Sequence, residues 1–436
     1  EAFAYGLVGP ANSVTVSLPT GSLCPPDATV AVDARVTFAS GSCPEATAAT
    51  ITYNAPTITT IGTVTRDATE PADLTINGTN FPPVNTQVVV RFTAGAAYPQ
   101  LFGNAGLTQA VVGTVTAATS ITVRPPAAAV CDLTTATASL DVNFGNDPCY
   151  YAVPGSFTYQ GPAITTVSPS TITALTPAAV TLTGVRFGPT VPANTQVTVR
   201  WTSADPIFGD GTLTSVDLPG TIVSSTSITT TAPIARVCAG ASSDASIRVI
   251  FPMGACATTG SGTAGGGVTF VGPVVTALAA TVDALNPGSV NVVGTNFPPV
   301  GTPISVTLTA PAGQRPFASG TANQATVVTQ VSPANTIAVV LPIGDVPPVS
   351  IVMSVGLDIG NSTCPSAAAG TVTYLAPVVA SLGAPLLRDA TAPAALNVTG
   401  TSFPAAGATA EVRFTSTLPI FGNTSQTQTV VGTVTG

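Results

Sequence analysis

The stretch that decides the fold is LTINGTNFPP at residues 74–83, because the chain repeats it three more times. The later copies are VTLTGVRFGP at 180–189, VNVVGTNFPP at 290–299 and LNVTGTSFPA at 396–405. The central glycines of the four copies are Gly78, Gly184, Gly294 and Gly400. They lie 106, 110 and 106 residues apart. A fixed period of this length predicts a tandem array whose unit is one small domain.

Other phrases recur in the same order around each copy. An alternating segment follows the motif, as in TQVVVRFT at 86–93, and a segment such as SITVRPP at 120–126 ends on proline. An aromatic segment then closes each unit at a proline: Pro56, Pro162, Pro273 and Pro377. We therefore expect three complete units flanked by two half units: 1–56, 57–162, 163–273, 274–377 and 378–436.

The composition favours strands and turns over helices. With 41 glycines and 40 prolines among 436 residues, no amphipathic helical stretch of useful length remains. Short runs of Val, Ile, Thr and Phe between Gly and Pro are typical of strands and turns. In 86–93 the apolar Val88, Val90 and Phe92 alternate with Arg91 and its neighbours, which is the period of a half-buried strand. The predicted fold class is all-β, with one β-sandwich for each unit.

The low charge of the chain indicates which partners it can bind. Only 7% of the residues are charged and the chain has no histidine, whereas about 25% of an average soluble domain is charged. All 11 basic residues are arginine, and a net charge of −8 without basic clusters argues against nucleic acid. No apolar run reaches the roughly 18 residues of a membrane helix. We expect the outer faces to associate with copies of the same chain, in a homopolymer.

Glycans are the alternative way to solvate these faces. Four Asn-X-Ser/Thr triplets offer N-glycosylation acceptors: Asn77, Asn361, Asn397 and Asn423. Such triplets also arise by chance in a Thr-rich chain, and Asn77 and Asn397 fall inside the repeated motif. Both interpretations stay open.

Taken together, the repeated phrases resemble the IPT/TIG branch of immunoglobulin-like domains. The likeness rests on a strand ending in Gly-x-x-Phe, an alternating strand and a Ser-Ile-Thr strand closing on proline, in register in four units. It covers nearly the whole chain and implies a tandem array of seven- or eight-stranded sandwiches, with incomplete half-domains at 1–56 and 378–436. The DNA-binding members of that branch need basic loops, which this chain lacks.

The resemblance implies structural roles for the repeated glycines and phenylalanines. The four glycines would permit a backbone bend or a positive φ at the end of the second strand. The phenylalanines three residues further on would plug the core: Phe81, Phe187, Phe297 and Phe403. These residues are expected to determine the fold and not to form a binding site.

The seven cysteines are candidates for disulfides: Cys24, Cys43, Cys131, Cys149, Cys238, Cys256 and Cys364. A zinc site is not expected, because CxxC spacing and histidine are absent. Regular pairs in an exported β-array predict disulfide bonds, and with them an extracellular or cell-surface location. The simplest pairing lies within a unit, as in Cys131–Cys149.

The immunoglobulin-like topology favours a different pairing. It places the first cysteine of a unit in the E–F loop and the second in the F–G loop, about 23 Å apart along one strand. A disulfide needs Cα atoms within about 7 Å. The E–F loop of one domain faces the F–G loop of the next, which leaves Cys43 odd. The resulting ladder has three links: Cys24–Cys149, Cys131–Cys256 and Cys238–Cys364.

Catalytic chemistry finds little support in the sequence. Without histidine or lysine, Ser-His-Asp, Cys-His, Schiff-base and phosphate-loop mechanisms each lack a required residue. The densest acidic cluster is Asp67, Glu70 and Asp73, which is a weak candidate for calcium and is better explained as a solvated linker. Trp201 and the Tyr150–Tyr151 pair could stack on a sugar. Core packing is the stronger interpretation for Trp201, and packing against the neighbouring domain explains the two tyrosines equally well. We expect neither catalytic residues nor a cofactor or metal.

The expected function is structural. The half units would expose strand edges and a core face. One hypothesis is that 378–436 of one molecule completes 1–56 of the next, head to tail; the other is that these residues belong to a longer repetitive polypeptide. The sequence favours a subunit of an extracellular filament, sheath or surface layer. The alternative is a stalk or adhesin region that holds a binding domain away from the cell.

Overall fold

The structure is a computed structural model. It describes residues 7–8, 13–19, 21, 23–24, 29–36, 46–103, 107–132, 134–145, 149–188, 196–258, 267–317, 320–345, 349–359, 367–383, 390–422 and 425–435. Within these ranges the regular structure is β-strand, with one short 3-10 turn at Pro252–Gly254 and no α-helix. Among these residues there is no helix that is long and apolar enough to cross a membrane.

The N-terminal segment, residues 1–56, forms two antiparallel strand pairs. Its strands are β1 (Leu7–Val8), β2 (Val14–Thr15), β3 (Thr29–Val36) and β4 (Ala46–Asn54). β1 pairs with β2, and β3 pairs with β4. Both ladders are short, and the apolar Val30 and Val32 of β3 are exposed.

The first unit, residues 57–162, has eight described strands in the order β5-β7-β10-β9-β8-β11-β12-β6. Their bounds are β5 (Thr57–Ile58), β6 (Thr63–Asp67), β7 (Leu74–Thr79), β8 (Gln87–Ala94), β9 (Thr108–Ala117), β10 (Ser120–Val123), β11 (Thr135–Asn143) and β12 (Tyr151–Gln160). β6 runs parallel to β12, and the other pairs are antiparallel. The long β9 pairs with β8 and with β10, so it links the two faces of the sandwich.

The second unit, residues 163–273, repeats this arrangement with a short extra strand beside the last hairpin. Its strands are β13 (Ala163–Ser168), β14 (Thr171–Thr173), β15 (Ala179–Val185), β16 (Gln196–Ser203), β17 (Ser215–Ser224), β18 (Ser227–Thr231), β19 (Ser242–Ile250), β20 (Cys256–Thr258) and β21 (Val268–Val271). β14 is parallel to β21, as β6 is to β12.

The third unit, residues 274–377, shows the two layers as separate sheets. Its strands are β22 (Val274–Val275), β23 (Leu278–Asp283), β24 (Ser289–Thr295), β25 (Pro303–Thr309), β26 (Gln324–Gln330), β27 (Thr336–Val340), β28 (Ile351–Asp358) and β29 (Ala367–Leu375). One sheet is β22-β24-β27 and the other is β23-β29-β28-β25-β26. This is the two-sheet immunoglobulin-like sandwich, so the predicted all-β tandem fold class is confirmed.

The C-terminal segment, residues 378–436, repeats the early strands of a unit. They are β30 (Val378–Leu382), β31 (Val398–Thr401), β32 (Thr409–Thr415) and β33 (Thr427–Thr433). β30 pairs with β31, and β32 pairs with β33. Their residues are mostly exposed.

Three apolar clusters fill the sandwiches, and each draws almost all of its residues from one unit. The strand pattern explains which side chains enter them. In β8, Val88, Val90 and Phe92 are 2, 0 and 0% exposed, whereas Val89 and Arg91 point outward. The predicted period-two alternation of this strand is confirmed.

Candidate functional site at the junctions between units

The repeated glycines are needed for close approach and not for their φ. None of Gly78, Gly184, Gly294 and Gly400 has a left-handed φ, so the positive-φ alternative is wrong. A Cβ at Gly78 would lie 2.0 Å from the carbonyl oxygen of Thr57 and 2.4 Å from the ring of Phe81. The other three meet a backbone carbonyl at 2.0 to 2.2 Å and a phenylalanine ring in the same way. Only glycine lets β5 and its equivalents pass so near.

The phenylalanine of the motif lies under this crossing. Phe81, Phe187 and Phe297 are 6, 0 and 5% exposed. Phe403, in the C-terminal segment, is only half-buried. The motif therefore closes one end of each complete sandwich.

A left-handed residue stands two positions after each glycine, where the sequence analysis placed no special residue. The φ values are 59° for Asn80, 59° for Arg186, 57° for Asn296 and 58° for Ser402. Asparagine tolerates this conformation best among residues with a side chain, so the two GTNF copies carried a readable signal. In the three complete units the side chain of this residue contacts the preceding part of the array.

The first junction joins the first and second units through Arg186. The Arg186 guanidinium lies 3.2 Å from a carboxylate oxygen of Asp67. The Thr69 hydroxyl donates a 2.8 Å hydrogen bond to the Arg186 carbonyl. Asp67 and Thr69 flank Ala68, which is fully buried in the first unit.

The second junction uses the equivalent positions with different side chains. The Thr173 hydroxyl donates to the Asn296 side-chain oxygen at 3.3 Å, and the Asn296 amide donates to the Gly272 carbonyl at 3.4 Å. Leu175 of the second unit lies in the apolar cluster of the third. An equivalent amide contact, Asn80 to the Ala55 carbonyl at 3.1 Å, joins the first unit to the N-terminal segment.

Two disulfides lock consecutive parts of the chain together. Cys24 bonds to Cys149 and Cys131 bonds to Cys256, with Cα separations of 5.3 and 4.5 Å. Both coincide with links of the ladder between domains, and the alternative pairing within a unit is wrong for these cysteines. Cys238 is also disulfide-bonded. Cys43 and Cys364 lie outside the described residues.

Backbone contacts reinforce the Cys131–Cys256 link. The two cysteines form a parallel β-bridge. The Asp132 amide donates to the Cys256 carbonyl at 3.0 Å, and the Cys256 amide donates to the Val130 carbonyl at 3.4 Å. The junction therefore combines a covalent bond, a short ladder and the Asp67–Arg186 ion pair.

Arginine side chains contact all three residues of the acidic cluster. Asp67 pairs with Arg186, and Glu70 accepts a 3.1 Å bond from Arg124. Asp73 uses its backbone carbonyl to accept from Arg66. Within the part of the chain that the structure describes, no group of three acidic, histidine or cysteine residues could hold a metal ion.

The aromatic candidates face the protein and not an open platform. Trp201 is fully buried against Phe270, as the core interpretation expected. The Tyr150 ring covers the Arg91 guanidinium at 4.0 Å. Tyr151 is buried, its hydroxyl donates to the Leu23 carbonyl of the N-terminal segment, and burial raises its pKa.

Two cavities of about 400 and 420 Å³ lie beside junctions. One is lined by Ile172, Thr173, Asn296 and Phe297, and the other by Tyr98, Leu101, Ala129 and Gly254, among others. Their linings contain no carboxylate, guanidinium or thiol. Neither cavity holds a constellation for nucleophilic or acid–base chemistry.

Comparisons with known proteins find only remote similarity, so any argument about function depends on the junctions. No protein-family model and no curated protein matches the chain. A tetra-tandem repeat from the extending region of a large adhesion protein is similar at 16% identity and a TM-score of 0.23, with 86% of this chain and 87% of that chain covered. Titin Ig domains are similar at 9% identity and 0.20, covering 74% and 98%, and Drosophila N-cadherin EC1-4 at 11% and 0.16, covering 86% and 98%. TM-scores this low carry no argument, so the fold assignment rests on the strand pairing.

Proposed function

We propose that the chain is a non-enzymatic structural subunit of an extracellular filament, sheath or surface layer. The observation that carries this proposal is the pair of disulfides that bridge consecutive parts of the array, Cys24–Cys149 and Cys131–Cys256. A bond across a junction restrains the angle between neighbouring sandwiches, which a bond within a sandwich would not do. The array is thereby stiff along its length.

The disulfides and the lack of residues for common catalytic mechanisms support this role. Disulfides persist outside the cytosol, which supports an extracellular or cell-surface protein. The chain has no histidine or lysine, and the described cavities lack catalytic groups. The units are assigned to the IPT/TIG type on the Gly-x-x-Phe motif and the phrases that follow it.

The expected partner is the same chain. Among the described residues of the three complete units, exposed large apolar side chains are most numerous in the third unit, where Val328, Val340 and Ile343 are 70, 68 and 67% exposed. Such side chains favour lateral contact between arrays, in addition to head-to-tail contact.

Electron microscopy of the purified, unreduced chain tests the proposal. We expect straight filaments in which successive domains repeat at roughly 35–45 Å. Addition of a reductant should make them visibly more curved, because the junctions lose their covalent link. Short rods of uniform length, unchanged by concentration, would contradict assembly.

Rods of that kind would favour the second candidate, a stalk or adhesin region that holds a binding domain away from the cell. The same junction disulfides favour it, since a stalk also needs stiffness. Reduction should then increase the bending of single rods without changing their mass.

A further inference from the structure

We propose that strand β26 of the third unit is a lateral docking edge, on which the same strand of a second copy pairs in the antiparallel direction around a twofold axis. This inference rests on the proposed function and deepens it, because it names the surface through which neighbouring arrays touch. The joint unites the sheet β23-β29-β28-β25-β26 of one copy with the same sheet of the other, in one continuous sheet.

β26 is the last strand of its sheet and has a partner strand on one side only. It pairs with β25 over the whole of Gln324–Gln330. On its other side the described contacts begin near its C-terminal end, where the Thr329 hydroxyl donates to the Ala338 carbonyl at 2.6 Å. Among the described residues, the backbone of 324–328 therefore has no strand beside it, and a row of N–H and C=O groups is open to a partner.

The side chains of β26 are less covered than those of the strand next to it. Ile304, Val306 and Leu308 of β25 are 4, 0 and 0% exposed, because strands lie on both sides of β25. Ala325 and Val327 of β26 pack against the same apolar cluster but are only partly buried. A further strand beside β26 covers these side chains, so it adds apolar burial to the new backbone hydrogen bonds.

β26 carries none of the common features that keep a free edge from pairing. Natural edge strands are often protected by charged residues, proline or a bulge. The segment QATVVTQ at 324–330 contains no charge and no proline, and its ladder with β25 has no register shift. On its outer face, Val328 is 70% exposed. The edge is therefore open both in its backbone and in its side chains.

The equivalent strand of the second unit is protected. Thr326 pairs with Thr307 of β25, and the residue at its position in β17 is Asp217, which pairs with Arg200 of β16. Pro219 follows two residues later, and proline has no N–H to donate. Both lie in the half of β17 that does not pair with β18. The difference between the two units indicates that the open edge belongs to the third.

The side chains of β26 fit the same strand of a second copy. In an antiparallel pair centred on Thr326, this residue lies opposite its own copy and Gln324 lies opposite Val328. Threonines directly opposite each other stabilise a strand pair. β26 already makes such a pair with β25, where the Thr307 and Thr326 hydroxyls are 3.3 Å apart. A second copy thus repeats on the free side a contact that the strand makes on its paired side.

Charge also favours a second copy of β26 over the other edges of the array. Neither copy brings a charge to the joint, so no ion has to be desolvated. Two copies of β17 in the same register would place Asp217 opposite itself, and like charges directly opposite are destabilising. The equivalent position of β9 is the neutral Ala110, which lacks the hydroxyl pair. The third unit therefore offers the best self-complementary edge.

A single cysteine at the centre of the joint tests the proposal. Across the twofold axis, Thr326→Cys faces its own copy at the Cα separation of a strand pair, about 4.5–5.5 Å, which a disulfide can bridge. Mild oxidation of this variant should give covalent dimers well above the background of the unsubstituted chain. Ser354→Cys is the control, because Ser354 is exposed on β28, two strands from the edge. Equal dimer yields from the two variants would overturn the docking edge.

A charge at the same position tests the edge without oxidation. Thr326→Asp gives β26 the residue that β17 has, and it should weaken self-association in sedimentation roughly tenfold. Ser354→Asp adds the same charge away from the edge and should leave self-association unchanged. Thr326→Asn has the size of the aspartate variant without its charge and should lie between the two. If Thr326→Asp and Ser354→Asp have equal effects, net charge controls association and the docking edge is overturned.

The outcomes separate this inference from the function on which it rests. Filaments that lose their side-by-side contacts in Thr326→Asp support both. Filaments whose lateral contacts survive that substitution overturn the docking edge and leave the filament function standing. Covalent Thr326→Cys dimers in a chain that forms no filaments support the edge and contradict the filament. Coupling of Thr326→Cys to Ala110→Cys but not to itself would overturn the twofold joint, because the occupant would then be the first unit.

Discussion

At the scale of single residues, the sequence predicts that the Gly-x-x-Phe motif determines the fold. It does not predict why the motif needs glycine. Repetition in four copies marks Gly184 and Phe187 as fold determinants. The carbonyl that excludes a Cβ at Gly184 belongs to Ala163, on another strand. A single sequence does not show that the Ala163 carbonyl lies so close to Gly184. The left-handed position was readable in part, because Asn80 and Asn296 are typical there, whereas Arg186 is not.

Replacing a motif glycine should therefore destabilise its unit far more than replacing a loop glycine. Gly184→Ala puts a methyl group 2.0 Å from the Ala163 carbonyl and should cost about 3 kcal/mol. Gly240→Ala, at a φ of 74° with nothing within 4 Å, should cost about 1 kcal/mol. Trp201 is the one tryptophan of the chain, so its fluorescence during urea unfolding reports the second unit directly. Equal costs for the two variants would contradict the close-approach explanation.

The left-handed residue at the junction permits a second test. Arg186→Asn should leave the second unit as stable as before, because Asn296 holds the same φ in the third unit. Arg186→Val should cost about 1–2 kcal/mol, since a β-branched residue resists this conformation. Urea unfolding followed by Trp201 compares the two. A valine variant as stable as the asparagine variant would mean that the turn is not left-handed.

At the scale of elements, periodicity predicted most strands and little of their long-range pairing. The alternating segment at 86–93 became β8, Gln87–Ala94, within one residue of the expected bounds. The parallel pairing of β6 with β12 left no trace in the sequence, because neither strand carries a local signal for its partner. The same holds for β9, whose two halves serve both sheets.

The last strand of each unit predicts a difference in alkaline stability. β12 and β29 bury Tyr159 and Tyr374, and burial raises the pKa of both phenols. β21 has Phe270 at this position, and the second unit contains no tyrosine. A raised pKa means that stability is complete below about pH 10, the unfolded value, and is lost as pH rises above it. The first and third units should lose about 1.4 kcal/mol per pH unit for each buried tyrosine, and the second unit should not.

Hydrogen exchange by mass spectrometry, read unit by unit after correction for the intrinsic rate, checks this between pH 9 and pH 11. Equal alkaline sensitivity of all three units would contradict the role of the buried tyrosines.

On the acid side, the Arg200 guanidinium bound to Asp217 lowers the pKa of that carboxyl. The contribution of this ion pair to the stability of the second unit is present above the ordinary aspartate pKa and is lost as pH falls.

At the scale of the whole molecule, the order of the repeats and the immunoglobulin-like topology together indicated where disulfides form. A strand of ordinary length separates the two cysteines of a unit, so a link to the neighbouring unit was favoured. Side-chain contacts at the junctions were not foreseen, because Asp67–Arg186 and Thr173–Asn296 share positions but no residue types. A cluster of acidic residues is typical of a solvated linker, whereas Asp67 of this cluster binds Arg186 of the next unit.

The central claim is that disulfides run between units, and peptide mapping of the unreduced chain tests it most directly. Trypsin cleaves after Arg35, Arg66, Arg91, Arg186 and Arg248 but not before the prolines that follow Arg124 and Arg315. The account predicts that peptides 1–35, 92–186 and 249–388 remain joined in one species through Cys24–Cys149 and Cys131–Cys256. Peptide 1–35 joined instead to 36–66, with 92–186 released alone, would place the bonds within units and contradict the account.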